Sequence, residues 1–260
     1  MLITKGIYGS RKKEEIMEDY AGKTVVITGG TSGLGFALAK ILGGRGASIV
    51  ITGRREEKGA EAVEKLQAEG VSARYLRQDV SSESDWNNLA FTVKSEFGGV
   101  DYLFNNAGVM LQPNALMKTS VSDWKWIMDT NFWGSLYGLR VFSGLMFTQP
   151  EGGRIVTTAS TAGVSAFSGW APYSVTKTAL VRLVENYQAE AIKFELDKVK
   201  YNVSLPGVFE SEIANSTLHR NEEYNNINGN GQEIPLSVAH TESGDRLGML
   251  TAEETAQIIL

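Results

Sequence analysis

The sequence predicts an α/β fold in which a doubly wound parallel sheet lies between two layers of helices. Short runs rich in β-branched residues alternate with longer amphipathic helical patterns, and a glycine-rich turn follows the first run. This alternation is typical of βαβ units. Strands that are apolar throughout suit a sheet buried on both faces. We therefore expect one three-layer αβα domain over residues 21–260, preceded by a charged extension over residues 1–20.

Six strands and five main helices are expected in alternating order. The predicted strands are Thr24–Thr28, Ser48–Thr52, Arg74–Val80, Tyr102–Asn105, Arg154–Thr158 and Tyr201–Leu205. The predicted helices are Leu34–Leu42, Glu56–Glu69, Ser82–Phe97, Ser122–Phe147 and Ala171–Leu196. A Ser-x-x-Asp capping box is expected to begin the third helix at Ser82. Residues 208–248 are polar and lack periodicity, which is typical either of a lid over a binding site or of a mobile surface insertion.

Composition and charge exclude several classes of function. The chain has no cysteine, which rules out disulfides, thiolate catalysis and cysteine-ligated metals. Its two histidines, His219 and His240, have no metal-site or hydrolase motif around them, so no metal is expected and each is predicted to be a solvated loop residue. A net charge of -5 argues against a nucleic-acid partner. With no apolar run long enough for a membrane span and no signal peptide, the expected location is the cytoplasm.

The turn after the first strand indicates a nucleotide site. It reads Thr28-Gly29-Gly30-Thr31-Ser32-Gly33-Leu34-Gly35. Glycines there let a pyrophosphate approach the helix N-terminus, where free N–H groups and the helix dipole favour an anion. The turn could also be only a tight connection. Its place between a strand and a helix at the start of the pattern favours a Rossmann-type dinucleotide site.

The end of the second strand is where dinucleotide sites distinguish NAD from NADP. An NAD site usually has an acidic residue there, which accepts hydrogen bonds from the ribose. This chain has Gly53, followed by Arg54 and Arg55. Arginine pairs well with a phosphate, although the two residues could also be a solvated helix start. NADP(H) is therefore the expected cofactor, and NAD(H) is the alternative.

Tyr173 and Lys177 are four residues apart, which places them on one face of a predicted helix. A tyrosine with an ordinary pKa of about 10 is a poor base at neutral pH, and a neighbouring ammonium lowers that pKa. The pair could therefore act as a tuned acid–base. Taken alone it proves little, because Tyr-x-x-x-Lys often arises by chance.

Together with further motifs, these features resemble the classical short-chain dehydrogenase/reductase family. The resemblance extends from about Gly22 to the end of the chain. The motifs that carry it are, in order, Thr28-Gly-x-x-x-Gly33-x-Gly35, Asp79, Asn105-Asn106-Ala107-Gly108, Asn131, Ser160, Tyr173-x-x-x-Lys177 and Pro206-Gly207. Ser160 and Tyr173 are 13 residues apart (173 − 160), the usual spacing in the family.

The resemblance implies a role for each of these residues. Tyr173 would exchange a proton with the substrate oxygen, and Ser160 would stabilise that oxygen. Lys177 would hold the nicotinamide ribose and lower the pKa of Tyr173, and Asn131 would position a water beside Lys177. The implied cofactor-binding residues are Gly29, Thr31, Ser32, Gly33, Leu34, Gly35, Arg54, Arg55, Asp79, Val80, Asn106, Ala107, Gly108, Tyr173, Lys177, Pro206, Gly207, Val208 and Ser211.

The chain departs from the family pattern in the cofactor site. Ser211 stands where threonine is usual, which keeps a hydroxyl. Ser32 stands where NADP-binding members often have a basic residue, so the expected NADP preference depends on Arg54 and Arg55.

The family pattern also bears on assembly. Members usually continue into a seventh strand after the helix that begins near Thr251, whereas this sequence ends at Leu260. That strand often forms one of the contacts in tetramers, so a tetramer is left open. A homodimer is expected through the long helices near residues 122–147 and 171–196.

The segments that would bind substrate are apolar. The side chains expected to line the pocket are Met110, Phe167, Trp170 and Phe209, with Val109, Leu111, Val164 and Ile213 as further candidates. Val164 and Ile213 could equally be core residues. No arginine or lysine in these segments would bind an acid, so an apolar or aromatic small ketone or secondary alcohol is favoured.

The expected function is therefore an NADP(H)-dependent oxidoreductase that interconverts a ketone and a secondary alcohol. An extended-family epimerase or dehydratase would need a longer chain and a different glycine spacing. A catalytically inactive nucleotide-binding regulator should have lost a catalytic group, yet all four are present. An NAD-dependent alcohol dehydrogenase remains the other alternative.

Overall fold

Six parallel strands form one sheet in the residues that the computed structural model describes, which are 20–209, 212–224 and 250–260. The strands are β1 (Thr24–Thr28), β2 (Ser48–Gly53), β3 (Ala73–Arg77), β4 (Tyr102–Asn105), β5 (Gly153–Thr158) and β6 (Val199–Ser204). Their order is β3-β2-β1-β4-β5-β6. This is the doubly wound order of dinucleotide-binding sheets, and it confirms the predicted Rossmann-type fold.

Helices cover both faces of the sheet. They are α1 (Gly33–Gly44), α2 (Glu56–Ala68), α3 (Glu83–Phe97), α4 (Val121–Ile127), α5 (Gly134–Phe147), α6 (Ala171–Lys193) and α7 (Ala252–Ile259). Helices α1, α2 and α7 pack with Val25 and Ile27 on one face, and α3, α5 and α6 pack with Val26 and Val50 on the other. Because successive strand residues point to opposite faces, the strands in the middle of the sheet are buried on both faces, as β1 is at every position.

Strand β3 is shorter than predicted. Asp79 leaves the strand ladder because its N–H donates to the Asp85 carboxylate at 2.8 Å and its carbonyl accepts from the Ser82 N–H at 3.0 Å. Ser82 Oγ accepts from the Asp85 N–H at 3.2 Å, as expected of a helix cap. The predicted capping box is therefore half formed, since the Asp85 carboxylate bonds to Asp79 instead of the Ser82 backbone.

The predicted helix Ser122–Phe147 is interrupted. Helix α4 begins with a capping box between Ser120 and Asp123, and a π-helical segment, Met128–Trp133, separates α4 from α5. Such segments are frequent at functional sites, and this one contains Asn131. Helix α6 also ends earlier than predicted, at Lys193, because Glu195 has a φ of 55°.

Several sequence-based predictions fall on residues outside the described ranges. Of the extension only Tyr20 is described, and Ser211 and His240 lie outside the description. Within residues 208–248 the structure describes 208–209 and 212–224, where Glu212–His219 and Glu222–Tyr224 form 3-10 turns. We name residues 212–224 the strap. No helix in the described part of the chain is long and apolar enough to cross a membrane.

Candidate active site

A cavity of about 870 Å³ lies along the carboxyl ends of the strands. This is the edge at which open α/β sheets bind ligands. Every described residue that the resemblance implies for cofactor binding lines this cavity, as do Met110, Phe167, Trp170 and Phe209 of the expected substrate pocket. Of the further pocket candidates, Val109 and Ile213 line it, whereas Leu111 and Val164 do not. Of the remaining predicted site residues, Ser160 also lines it, Asn131 lies buried beneath the lining, and Ser211 lies outside the described residues.

The turn after β1 is shaped to admit an anion. Gly29 and Gly33 have φ values of 65° and 51°, which favour glycine. A Cβ on Gly35 would lie 2.3 Å from the Gly29 carbonyl oxygen and 2.8 Å from Asn106 Nδ2, so α1 packs directly on the turn. Ser32 begins α1 without a side-chain cap from the described residues. The N–H groups of the first turn of α1 can therefore bind a ligand.

Buried hydrogen bonds join the loops that follow β1, β4 and β5. Thr28 Oγ1 accepts from the N–H groups of Asn106 at 2.9 Å and Ala107 at 3.0 Å. Asn106 Nδ2 donates to the Thr28 carbonyl at 3.0 Å, and Thr158 Oγ1 donates to Asn106 Oδ1 at 3.3 Å. Lys177 Nζ donates to the Thr158 carbonyl at 2.8 Å. Thr28 was predicted only as part of the glycine turn and Thr158 only as the end of a strand, yet their hydrogen bonds hold the cavity wall in one arrangement.

Tyr173, Ser160 and Lys177 converge at one end of the cavity, which we name the chemical end. Tyr173 lies in the first turn of α6, and its phenol hydrogen-bonds with the Ser160 hydroxyl. Ser160 Oγ also accepts from the Ala162 N–H at 3.1 Å, which holds it in place. Lys177 follows one turn later, with Nζ 5.5 Å from the centroid of the Tyr173 ring. The four-residue spacing thus brings both side chains to one point.

Burial has the largest effect on the pKa values of this pair. It raises the pKa of Tyr173 above its usual value, and the hydrogen bond with Ser160 acts in the opposite direction. Burial also lowers the pKa of Lys177 to about 8. The net shift of the Tyr173 pKa is upward and Lys177 is not among its causes, so the lowering expected from Lys177 stays a prediction. An environment of low dielectric disfavours the charged form of both groups.

Asn131 holds the loop after β4. Its Oδ1 accepts from the Val109 N–H at 2.8 Å, and its Nδ2 donates to the Val109 carbonyl at 2.9 Å and to Thr176 Oγ1 at 3.2 Å. Asn131 Oδ1 and Lys177 Nζ each lie 3.4 Å from the point that a Cβ on Gly108 would occupy. The role observed for Asn131 is thus to fix the backbone beside the chemical end. Its water-positioning role stays a prediction.

Apolar side chains surround the chemical end. A buried cluster there consists of Met110, Ile127, Ala162, Tyr173 and Ala214, with Val109, Leu111, Trp170 and Ile213 packed against it. Phe167 stacks on Trp170 with ring centroids 5.9 Å apart. Val164 is 62% exposed and lies outside the lining, so it belongs neither to the pocket nor to the core. Ile213 lines the cavity.

Basic side chains gather at the opposite end of the cavity, which we name the phosphate end. Arg54, Arg55, Lys58 and Lys65 line it, together with Glu61. Glu61 accepts from Lys58 Nζ at 2.8 Å and from Lys65 Nζ at 2.7 Å, and these bonds lower its pKa to about 2. Four cations against two carboxylates, Glu61 and the neighbouring Asp79, leave an excess of positive charge, which attracts an anionic group.

The strap reaches the phosphate end through His219. Arg54 Nη2 donates to the His219 carbonyl oxygen, and Arg55 Nη1 lies 2.7 Å from His219 Nε2. His219 is exposed, as predicted of a loop residue, but it was wrongly predicted to be only solvated. It is 165 positions from Arg54 along the chain, and no local motif signals the contact.

The strap also contacts Asp79. Asn221 Nδ2 donates to the Asp79 carboxylate at 3.2 Å. Burial alone would raise the pKa of Asp79, but hydrogen bonds from Ser81 and Asn221 and the charge of Arg54 together lower it. Asp79 is therefore a carboxylate at neutral pH, as its predicted contact with the cofactor requires.

Two further contacts attach the strap to the neighbouring helix. Arg220 Nη1 pairs with Asp123 Oδ1 at 2.5 Å, and its guanidinium lies 5.0 Å from the Trp126 ring. Tyr224 Oη donates to Asp129 Oδ2 at 2.8 Å. The strap is thus docked on α4 and the π-helical segment. No group of acidic or histidine side chains among the described residues could hold a metal ion.

Comparisons with known proteins agree on one family. The family model described as short chain dehydrogenase matches residues 23–222. The A-factor type gamma-butyrolactone 1'-reductase (1S-forming) of Streptomyces virginiae is 32% identical over 237 residues, which covers 90% of each chain. The C alpha-dehydrogenase of a Sphingobium species is 30% identical over 208 residues, 80% of this chain and 67% of that protein. A crystal structure of a short chain dehydrogenase/reductase from Burkholderia phymatum in complex with NAD has 32% identity and a TM-score of 0.83, and the match covers 93% of this chain and 85% of that one.

Proposed function

This chain belongs to the short-chain dehydrogenase family of oxidoreductases, and we propose that it interconverts a ketone and a secondary alcohol with NADP(H). The observation that carries the proposal is the convergence of Tyr173, Ser160 and Lys177 at one end of a cavity whose other end is basic. A dinucleotide lying between the two ends would meet an acid–base group at one and cations at the other.

The residues at the chemical end divide the proton chemistry of ketone reduction between them. The nicotinamide, when bound, supplies the hydride. Tyr173 donates the proton that the substrate oxygen receives, and its raised pKa keeps the phenol protonated at neutral pH until that step. The Ser160 hydroxyl, held by the Ala162 N–H, donates a hydrogen bond to the same oxygen and stabilises its growing negative charge.

Lys177 stabilises the phenolate that Tyr173 becomes after proton transfer. A phenolate remains when Tyr173 has given up its proton. With a pKa of about 8, Lys177 is mostly cationic at neutral pH, and its ammonium lies beside the Tyr173 ring. The positive charge lowers the free energy of the phenolate and so eases proton transfer in either direction.

The proposed choice of NADP(H) depends on the phosphate end. Arg54 and Arg55 line the cavity after β2, and a guanidinium is well suited to a phosphate monoester. Lys58 and Lys65 add charge beside them. The alternative is NAD(H), which a related crystal structure contains.

The proposed substrate is uncharged and apolar or aromatic. Met110, Phe167, Trp170 and Phe209 line the cavity, and the buried cluster of apolar side chains surrounds Tyr173. Burying the charge of a carboxylate or a phosphate against such a wall would cost several kcal/mol, on the order of the penalty for an unpaired buried ion. A ketone with an apolar or aromatic substituent avoids that cost.

The deciding experiment is an assay of the purified chain on a panel of apolar, aromatic and acidic ketones, each with NADPH and with NADH. We expect loss of the reduced-nicotinamide absorbance with apolar ketones, faster with NADPH. Tyr173→Phe should abolish turnover while NADPH still binds, and Tyr187→Phe, on the same helix but outside the cavity lining, should not. Equal rates for the wild type and Tyr173→Phe across the panel would overturn the catalytic proposal in favour of a nucleotide-binding regulator.

The proposal includes a homodimer formed through α4, α5 and α6. Trp133 in the π-helical segment and Val175 on α6 are apolar and 42% and 47% exposed, and a partner at this part of the chain would cover them. Light scattering of the purified protein should give the mass of two chains. A monomer at micromolar concentration would contradict this arrangement.

A further inference from the structure

His219 is the point at which the strap meets both arginines of the phosphate end. Arg54 donates to its carbonyl oxygen, and Arg55 Nη1 lies 2.7 Å from its Nε2. A guanidinium has N–H donors and no acceptor. In this contact the guanidinium of Arg55 therefore donates and the ring nitrogen Nε2 of His219 accepts.

The three side chains can reach one anion together. Each guanidinium has five N–H donors, so a bond to His219 leaves others for a phosphate oxygen. The imidazole always carries at least one N–H, and it lies within hydrogen-bond distance of Arg55. An oxygen bound by Arg55 is thus within reach of His219 after a change of rotamer. All three residues line the same cavity.

We propose that His219 is a cofactor-specificity residue, whose ring donates an N–H to the 2′-phosphate of NADP(H) while Arg54 and Arg55 bind the same group. The inference rests on the proposed preference for NADP(H). A phosphate monoester has three terminal oxygens, which can accept from three donors at once. In NAD(H) this group is absent, and His219 keeps its contacts with the arginines.

The strap supplies a matched control for this inference. Asn221 lies two residues beyond His219 and also ties the strap to the cavity, but through Asp79 rather than through the arginines. Loss of Asn221 should loosen the strap without removing a phosphate donor. It therefore separates a general effect of the strap from a specific effect on the 2′-phosphate.

The test measures binding of adenosine 2′,5′-bisphosphate and of 5′-AMP to the full chain by titration calorimetry. The wild type should bind the bisphosphate more tightly. His219→Ala should reduce that preference by about five- to tenfold, the value of one hydrogen bond to a charged group at a partly exposed site, and leave the Kd for 5′-AMP within about twofold. His219→Gln, which keeps a donor, should restore part of the preference. Asn221→Ala should weaken both ligands by the same factor.

Three outcomes would overturn the proposed role of His219, and one of them would also overturn the proposed preference for NADP(H). If the wild type binds the bisphosphate no more tightly than 5′-AMP, both the proposed NADP(H) preference and the role of His219 are wrong. If the wild type prefers the bisphosphate and His219→Ala keeps that preference, only the role of His219 is wrong. A His219→Ala variant that weakens both ligands equally, as Asn221→Ala does, makes His219 a residue that only holds the strap.

Discussion

The two ends of the cavity differ in how far their side chains are buried from solvent. At the chemical end, Tyr173, Lys177 and Asn131 are 8%, 2% and 0% exposed, and their hydrogen bonds lie within the protein. At the phosphate end, Arg55 and His219 are exposed and their contacts face solvent. Buried groups interact strongly and are screened little, whereas exposed charges contribute weakly and are screened by salt. Changes at the chemical end should therefore have large effects independent of salt, and changes at the phosphate end should have small effects that salt reduces.

After Tyr173→Phe, the largest effect is expected for Ser160→Ala. Removal of one preorganised donor to a developing oxyanion typically lowers kcat by about 10² to 10³. Steady-state kinetics with the best ketone of the panel would measure the loss, which should persist at high salt. Ser174→Ala is the control, because Ser174 Oγ is buried without a hydrogen-bond partner among the described residues and lies beside Tyr173. A Ser160→Ala variant within threefold of the wild type would contradict the assignment.

The next effect concerns stability and pH. Folding lowers the pKa of Lys177 from 10.5 to about 8, so between these values the unfolded chain binds the proton more tightly. Below about pH 8 the folded protein carries the full free-energy cost of the buried ammonium. The free energy of unfolding should therefore rise as the pH increases from about 8 towards 10.5. Lys177→Met removes this cost and should raise the free energy of unfolding at pH 7 by at most about 3 kcal/mol. The loss of the hydrogen bond to the Thr158 carbonyl makes the gain smaller. The free energy of unfolding of the variant should also change less between pH 8 and 10.5.

Urea unfolding at several pH values would check this prediction. Lys193→Met, at an exposed lysine on the same helix, is the matched control and should keep the wild-type pH dependence. An unfolding free energy for Lys177→Met that rises with pH as steeply as in the wild type would contradict the role of burial.

A smaller effect is expected for Asn131→Ala. The variant loses the two bonds that hold the Val109 backbone, and the free energy of unfolding should fall by about 2 kcal/mol. The cavity wall beside Tyr173 should shift, with roughly a tenfold loss in kcat. Chemical unfolding and kinetics measured together would test this. A loss of stability with an unchanged kcat would limit Asn131 to a structural role.

The smallest effect is expected at the phosphate end. Arg54→Ala should reduce the preference for NADPH over NADH by about tenfold at low salt, and by less as ionic strength rises. Ratios of kcat/KM at two salt concentrations would measure it. Arg74→Ala is the control, since Arg74 lies on β3 and pairs with Glu96 outside the cavity lining. An Arg54 effect that does not depend on salt would break the contrast between the two ends.

Sequence patterns located the strands well where apolar content alone decides them. The bounds of β1 and β4 agree with the prediction at both ends, because both strands are apolar runs followed directly by the loops of the site. The end of β3 was wrong because a side chain, Asp85, captures a backbone N–H. The π-helical segment was missed because its apolar pattern continues that of the helices on either side.

By itself, the sequence determined the Rossmann-type fold and the order of the motifs, since both depend on local periodicity and spacing. The four-residue separation of Tyr173 and Lys177 already placed them on one helical face. Only the tertiary structure decided the direction of their pKa shifts, because burial depends on everything packed around them. The contact between His219 and Arg54, which are 165 positions apart, was likewise decided only by the tertiary structure. Contacts between distant segments leave no periodic pattern in a single sequence.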